Sequence, residues 1–342
     1  MPSSLDIRIS ALCALGLDIR QMLEPGNPAA QKLYREAHIR NGWFTPENCR
    51  SALEGIAAWL TEEKLREWIS PYQKKIETHA SKKIGIIAAG NIPGVGFHDF
   101  LTVFLTGNYA CLKLSSDDTV LMEFLLGELK SYLPEKENWE ITPKLPPDSL
   151  QGIIATGSNN SARYFEYYFG KLPHLFRKNR KSVAVLEGNE NEEELQGLGK
   201  DIFTYFGLGC RNVSKLFVPE GYNFDAFFNG IFPFSDVVLN KKYGNNYDYN
   251  RAIFLMNGTP LLDNNFVLLT ESSSLHPPVA MVYYEYYKSP EDLQKKLVAA
   301  KDQIQCIAGK GSPDFIPFGK TQQPTLSDYA DGINTPEFCL GF

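Results

Sequence analysis

The spacing of apolar residues changes once along the chain, near Lys83. Before this point apolar side chains recur every three or four positions, as at Ile9, Leu12 and Leu15, which predicts amphipathic helices. After it come short apolar runs, each stopped by small or polar residues and followed by helical periodicity: 84–89, 110–114, 152–155 and 182–186. Buried strands that alternate with helices predict an α/β fold with a mostly parallel sheet covered on both faces.

The residues that end these runs are the first candidates for binding. In parallel sheets ligands bind beyond the carboxyl ends of the strands, where helix N-termini offer unpaired N–H groups. Helix caps use the same small and polar residue types, so each set alone is equally well explained as capping. The sets are Gly90-Asn91-Ile92-Pro93-Gly94, Lys113 with Ser115, Thr156-Gly157-Ser158, and Glu187-Gly188-Asn189. Neither a complete GxGxxG fingerprint nor a P-loop occurs, which argues against an ordinary Rossmann phosphate loop and a nucleotide triphosphatase.

The composition is that of an ordinary globular protein of 342 residues, with 43% hydrophobic and 22% charged residues. Single cores stop growing at about 250 to 300 residues, so two domains are favoured over one. The net charge of -6 argues against a nucleic-acid partner, and the basic run 177–181 is interpreted as a solvated face. No apolar run is long enough for a membrane span, and the first residues lack a secretory signal. A cytoplasmic protein without an integral membrane segment is therefore expected.

One of the cysteines has a neighbourhood that suggests chemistry. The six cysteines are spread singly, which supports neither a zinc site nor a disulfide framework, so no metal is expected. Cys210 follows Gly209 at the predicted end of a helix, 23 positions (210 − 187) after Glu187. A thiolate attacks carbonyl carbons well, and a thiol of pKa about 8.5 needs only modest help to ionise. A lone cysteine is more often a packing residue, so the surrounding pattern must decide.

That pattern is shared with a known group of enzymes. The segments that carry the likeness are GNIPG at 90–94, FGLGC at 206–210, ESSSLHPPV at 271–279 and FGKTQQPTLSDYADG at 318–332. In their order and spacing they resemble the aldehyde dehydrogenase superfamily and, within it, the acyl-CoA reductases of the bacterial luminescence type, the LuxC family. The resemblance runs from about Lys82 to Phe342.

The resemblance implies a parallel-sheet cofactor-binding domain plus a second α/β catalytic domain. It divides the chain into an N-terminal helical region packing on the cofactor domain (1–80), a dinucleotide-binding domain (81–186), a catalytic thiol domain (187–310) and a C-terminal segment returning to the cofactor domain (311–342). The chain is shorter than a typical superfamily member, so an oligomerisation arm or part of the second lobe is expected to be absent. A homo-oligomer is nevertheless expected.

The implied activity is that of an oxidoreductase: reduction of a long-chain fatty acyl-CoA, or another acyl thioester, to the aldehyde. Cys210 would be the nucleophile that carries the acyl group, and Asn91 would donate its amide to the oxyanion together with the Cys210 backbone N–H. Glu187 would take the proton of Cys210 or orient its loop. His98 and His276 are further candidates for carrying a proton.

The implied cofactor is NADPH rather than NADH, because a lysine at position 113 is compatible with a 2′-phosphate. The residues matched to the cofactor are Lys113 and Ser115 at the adenosine ribose, Thr156, Gly157 and Ser158 near the pyrophosphate and nicotinamide, and Glu271 at the nicotinamide ribose. An acyl carrier or another acyl-donating protein is compatible as the partner. Two alternatives stay open: an aldehyde dehydrogenase that forms free acid with Glu187 and water, and a non-catalytic subunit that binds acyl-CoA or nucleotide.

Overall fold

The computed structural model describes residues 4–133, 138–157 and 159–342. The chain forms two compact units, one made of Met1–Asn179 with Thr325–Phe342 and the other of Arg180–Pro324. The expected boundary between 186 and 187 thus lies at Asn179 instead, because the strand after it pairs with strands of the second unit. The expected C-terminal segment 311–342 also divides, since only 325–342 belongs to the first unit.

The N-terminal region of the first unit is helical, as the apolar spacing predicts. Ile9, Leu12 and Leu15 form one buried stripe of the first helix. Asn27, Thr45 and Thr61 cap the next three helices by accepting hydrogen bonds from backbone N–H groups in the first turn. The helices are α1 (Ser4–Met22), α2 (Pro28–Arg40), α3 (Pro46–Trp59), α4 (Glu62–Ile69) and α5 (Gln73–Thr78).

A parallel sheet lies at the centre of the first unit. Its strands are β1 (Lys83–Ile87), β2 (Tyr109–Lys113), β3 (Trp139–Ile141), β4 (Gly152–Thr156) and β5 (His174–Arg177), in the order β3-β2-β1-β4-β5. The helices that follow its strands are α6 (Phe97–Leu105), α7 (Thr119–Ser131) and α8 (Asn159–Phe169). The order of the strands reverses between β1 and β4, which is where open α/β sheets bind ligands. Three of the four predicted apolar runs, 84–89, 110–114 and 152–155, contribute strands to this sheet.

The second unit contains a mixed sheet with the order β11-β6-β7-β10-β9-β8. Its strands are β6 (Lys181–Val185), β7 (Val213–Pro219), β8 (Leu262–Asp263), β9 (Leu268–Glu271), β10 (Met281–Tyr287) and β11 (Ile304–Ala308). Neighbouring strands run parallel except for β8, which is antiparallel to β9. Its helices are α9 (Glu192–Phe203), α10 (Phe224–Ile231), α11 (Lys241–Met256) and α12 (Pro290–Ala300). The predicted fold class, α/β with a parallel sheet and a second α/β domain, is what the structure shows.

The C-terminal segment of the first unit, which ends in α13 (Thr335–Leu340), is held by a buried ion pair. Arg177 is only 6% exposed, lies 2.5 Å from the Asp99 carboxylate and donates to Thr335 Oγ1 at 2.9 Å. The next residue, Lys178, donates its backbone N–H to Asp331. Interpreting the run 177–181 as a solvated face was therefore wrong for Arg177, whose charge is neutralised inside the unit. Across the described parts of the chain, the helices are too short or too polar to span a membrane.

Candidate active site

Strand-end residues of the first unit meet at one edge of its sheet. Ile87 of β1 pairs with Lys113 of β2 on one side and with Ala155 of β4 on the other. Because the three strands are parallel, the residues that follow them share the carboxyl edge. The structure thus brings together Asn91, which is exposed, with Lys113, Ser115, Thr156 and Gly157 at this edge. Ser158, predicted to belong with them, lies outside the described residues.

The loop after β1 packs closely on the loop after β2. A Cβ atom at Gly90 would lie 2.3 Å from Ser115 Oγ, so only glycine leaves room for the two loops to touch. Gly94 has a φ of 68°, and its N–H donates to Asp118 Oδ2 at 2.8 Å. Asp118 is only 3% exposed, and no described group bonds its Oδ1 atom. Burial raises the pKa of Asp118 to about 8.

This edge fits a dinucleotide on two observations. Thr156 Oγ1 is buried and has no hydrogen-bond partner within the described residues, so it is available to a bound group. The loop after β1, which carries Gly90 and Gly94, follows one of the two strands that flank the switch point between β1 and β4. Lys113 is exposed at the same edge and supplies a positive charge for a phosphate. Groups of three or more His, Cys, Asp or Glu able to hold a metal ion are absent from the described ranges.

In the second unit Cys210 lies just before β7, at the amino edge of the sheet. Ser182, the second residue of β6, pairs with Val213, and its Oγ donates to the Cys210 carbonyl oxygen at 3.0 Å. The same Oγ atom lies 3.0 Å from the sulfur of Cys306 on β11. Cys210 itself is half-buried. The Ser182 hydroxyl on β6 thus contacts both the backbone of Cys210 and the side chain of Cys306 on β11.

A strained turn leads into Cys210. Tyr205, Phe206 and Gly207 have φ angles of 54°, 57° and 74°, so three successive residues adopt the left-handed conformation. For residues other than glycine this conformation costs about 1 to 2 kcal/mol each. Such strain persists only where the surrounding structure holds it in place, and it concentrates at functional sites. The turn explains why the expected helix ends before the cysteine.

The side chain of Asn212 stabilises this turn through hydrogen bonds. This side chain, which is 0% exposed, donates to the Thr204 carbonyl at 2.7 Å and the Asp201 carbonyl at 3.0 Å. Its side-chain oxygen accepts the Gly209 N–H at 2.8 Å. Backbone groups before and after the strained residues therefore all form hydrogen bonds with the buried Asn212 side chain.

Replacing Asn212 by alanine is expected to lower the free energy of unfolding by about 3 kcal/mol, because several buried backbone groups lose their partner. Urea unfolding of Asn212→Ala and the parent measures the difference. Asn245→Ala, at an exposed position of α11, is the matched control and should change stability by less than about 0.5 kcal/mol. Equal losses in the two variants would contradict the role given to Asn212.

Lys181, the first residue of β6, brings a positive charge to the turn. Its ammonium donates to the Gly207 carbonyl oxygen at 3.3 Å. Burial lowers the pKa of Lys181, and the negative charge of a Cys210 thiolate opposes that shift. The sequence pattern did not single out this residue, because it closes a basic run; its place directly before a buried strand was the available signal.

His276 reaches the same edge through the connection between β9 and β10. Ser214 donates its Oγ to the Leu275 carbonyl at 2.8 Å, and Lys215 donates to the Ser273 carbonyl at 3.0 Å, so β7 holds this connection along its length. Burial, and then the Lys181 charge, lower the pKa of His276. A neutral imidazole is therefore expected near neutral pH.

The structure does not bring Glu187 to Cys210. Glu187 follows the carboxyl end of β6, next to Gly311, whereas Cys210 lies beside Ser182 at the amino end. Five residues of strand at a rise of about 3.3 Å separate the two levels by about 16 Å. The expectation that Glu187 takes the proton of Cys210 is therefore corrected, because this distance excludes direct transfer.

Two further candidates lie elsewhere in their units. Glu271 ends β9 and is exposed, beside Tyr284 of β10. His98 packs in the first unit against the Trp59 ring, with 5.5 Å between ring centroids, and its Nε2 lies 3.1 Å from the Leu326 carbonyl oxygen. Burial lowers the pKa of His98. These contacts give His98 a structural role.

Comparison with known proteins places the fold. No protein-family model and no curated protein sequence matches the chain. Solved structures do match: the NAD+ complex of an aldehyde dehydrogenase from Bacillus cereus has a TM-score of 0.63 at 12% identity, covering 90% of this chain and 72% of that one. The NAD+ complex of a Mycobacterium tuberculosis aldehyde dehydrogenase has a TM-score of 0.62 at 11% identity, covering 90% and 78%.

A third similar structure is a cysteine-to-alanine variant of aldehyde dehydrogenase C from Pseudomonas syringae, in complex with NAD+ and octanal. Its TM-score is 0.63 at 11% identity, and the match covers 91% of this chain and 73% of that one. Identities this low carry information on the fold and not on the activity. The chain therefore has the fold of the aldehyde dehydrogenases.

Proposed function

We propose that the protein reduces a long-chain acyl-CoA, or another acyl thioester, to the aldehyde with NADPH, through a thioester formed on Cys210. The observation that carries the proposal is the surroundings of Cys210. A half-buried thiol follows a strained turn and lies at the same sheet edge as the Lys181 ammonium and the His276 imidazole. One protein with this fold was solved with NAD+ and octanal, which supports a fatty aldehyde as the product class. The resemblance to the LuxC-type reductases points to the same chemistry.

The chain's own groups account for the acyl transfer. The Cys210 thiolate attacks the thioester carbonyl and releases the thiol of CoA, giving a second thioester of similar energy, so the step is reversible. The backbone N–H of Cys210 and the amide of Asn91 are proposed as donors to the oxyanion; one such donor is worth about 3 kcal/mol. A bound reduced nicotinamide would supply the hydride that turns the acyl group into the aldehyde.

His276 takes the place that Glu187 was expected to fill. A neutral imidazole accepts the thiol proton of Cys210, and the nearby Lys181 charge disfavours the resulting cation, so the proton passes on to the departing sulfur or to the product oxygen. The distance of Glu187 from Cys210 also supports reduction over hydrolysis, since the carboxylate expected to activate water is at the other edge of the sheet.

The cofactor assignment uses the carboxyl edge of the first sheet. Thr156 and Gly157 end β4 where the buried Thr156 hydroxyl lacks a partner within the described residues. Lys113 and Ser115 are proposed to hold the adenosine ribose, with the exposed Lys113 ammonium matched to a 2′-phosphate. Glu271 is proposed at the nicotinamide ribose. NADPH is therefore expected to be used in preference to NADH.

The proposal is tested by mass spectrometry of the intact protein after mixing with a series of saturated acyl-CoAs and no reductant. We expect one acyl mass to be added, located on the Cys210 peptide, with an equal amount of CoA thiol released. Adding NADPH should then remove the adduct and produce aldehyde in amounts equal to the cofactor oxidised. Acid formed from aldehyde and NADP+ without CoA would instead identify a dehydrogenase. Cofactor binding without any adduct would identify a binding subunit.

A further inference from the structure

The turn that carries Cys210 is bonded to two successive residues of β6. Lys181 donates its ammonium to the Gly207 carbonyl oxygen at 3.3 Å, and Ser182 donates its hydroxyl to the Cys210 carbonyl oxygen at 3.0 Å. These bonds place Cys210, which lies just before β7, at the edge of the sheet where Lys181 begins the neighbouring parallel strand β6. A half-buried ammonium is thus bonded to the backbone of the turn that carries Cys210, three residues before the thiol.

Other titratable groups face this turn from the elements packed around it. They are Cys306 of β11, His276 of the connection between β9 and β10, Arg211, which donates to the Thr321 carbonyl, and Asp201, which accepts from Gly319 and Thr321. Asp201 is occupied by these donors, and His276 is kept neutral. Arg211 directs its Nε to a carbonyl. The Lys181 charge interacts with a Cys210 thiolate.

We infer that Lys181 is a positioning residue that acts through Cys210: its ammonium pairs with the thiolate and keeps the sulfur reactive near neutral pH. The inference deepens the proposed function and rests on Cys210 being its nucleophile. During acyl transfer the bond from carbonyl carbon to the CoA sulfur breaks as the bond to the Cys210 sulfur forms. The negative charge therefore moves from one sulfur to the other, and the same ammonium faces the charge before and after the step.

The remaining cysteines provide an internal reference. Burial raises the pKa of Cys49 and Cys111 to about 12, and it also raises the pKa of the other three thiols, Cys13, Cys306 and Cys339. An un-ionised thiol alkylates slowly. Cys210 is therefore expected to be the first cysteine labelled by iodoacetamide.

The test is the rate of iodoacetamide labelling of the Cys210 peptide as a function of pH, followed by mass spectrometry. Losing this cation should shift the profile of Lys181→Met upward by about one pH unit or more, so labelling near neutral pH slows about tenfold. Lys181→Arg should keep the parental profile. Lys295→Met removes the same charge from an exposed position of α12 and should leave the profile unchanged. An unshifted Lys181→Met profile, or an equal shift in Lys295→Met, overturns the inference.

A second measurement uses the parent protein alone, so it tests the role of Lys181 even if the Lys181→Met variant does not fold. A fixed cation beside the sulfur favours an anionic reagent, so the ratio of iodoacetate to iodoacetamide rates at Cys210 should exceed that of a short cysteine peptide. A ratio no higher than the peptide's overturns the inference. Neither measurement needs acyl-CoA or cofactor. A parent that fails to take up an acyl group while showing both labelling effects would therefore contradict the proposed function and leave the role of Lys181 standing.

Discussion

Replacing Cys210 by serine is expected to lower acyl-CoA reduction by about a thousandfold or more, because a serine hydroxyl lacks the thiolate's nucleophilicity and the acyl-enzyme cannot form. The added acyl mass should disappear from the protein at the same time. Cys210 is half-buried and serine is nearly isosteric, so the urea unfolding midpoint should change little. The measurement is NADPH oxidation together with intact-protein mass after mixing with acyl-CoA.

Cys13→Ser is the matched control for this prediction. Cys13 is also half-buried, but it lies in α1 of the first unit, whereas the strained turn belongs to the second unit. Its serine variant should reduce acyl-CoA at the parental rate and keep the acyl adduct. A Cys210→Ser protein as active as the parent would show that another group carries the acyl chain, and the proposed mechanism would then be abandoned.

Replacing Asp118 by asparagine is expected to raise the free energy of unfolding relative to the parent, and this difference should grow as the pH rises. The pKa of this carboxyl is raised by burial from 3.8 to about 8, so the folded state keeps a proton that the unfolded state releases. The stability that this group contributes is therefore complete below pH of about 4 and is lost as the pH rises to about 8. Asparagine does not ionise, and its oxygen still accepts the Gly94 N–H.

The difference between Asp118→Asn and the parent should grow by about 1.4 kcal/mol per pH unit in this window, reaching on the order of 4 kcal/mol at about pH 7. Urea unfolding at several pH values between about 5 and 8 measures it. Asp117→Asn removes the neighbouring exposed carboxylate and is the matched control. Parallel curves for Asp118→Asn and the parent would mean that the carboxyl ionises normally in the folded state.

Most of the fold could be predicted from the chain because local patterns determine it. The stripe of Ile9, Leu12 and Leu15 and the apolar runs after Lys83 each report which face of an element is buried, and the structure has helices and parallel strands at those positions. The domain boundary was harder. The run 182–186 looks like the earlier ones, and only its pairing with β7 and β11 assigns it to the second sheet. The local spacing of apolar residues does not show which distant strands pair with each other.

The site shows the same division between local and non-local information. Lys113 and Thr156 end strands and Asn91 follows one, so the parallel arrangement of these strands puts all three residues at one edge of the sheet. Glu187 also follows a strand, but Cys210 precedes one, and in a parallel sheet those positions are at opposite edges. The positions of Glu187 and Cys210 relative to their strands were therefore enough to predict that the two residues lie at opposite edges. The ammonium of Lys181 was hidden for a different reason, because charge type alone does not reveal which member of a basic run is buried.

The route of the chain has a consequence for its synthesis. The second unit is a continuous stretch, so all of its strands are available once residue 324 has left the ribosome. The first unit, although it begins to emerge much earlier, must wait for Asp331 and Thr335, which bond to Lys178 and Arg177. Domains commonly fold in the order in which they emerge. Here the bonds from Arg177 and Lys178 to the C-terminal segment can form only after about 150 more residues have been translated, so the first unit is completed at about the same time as the second.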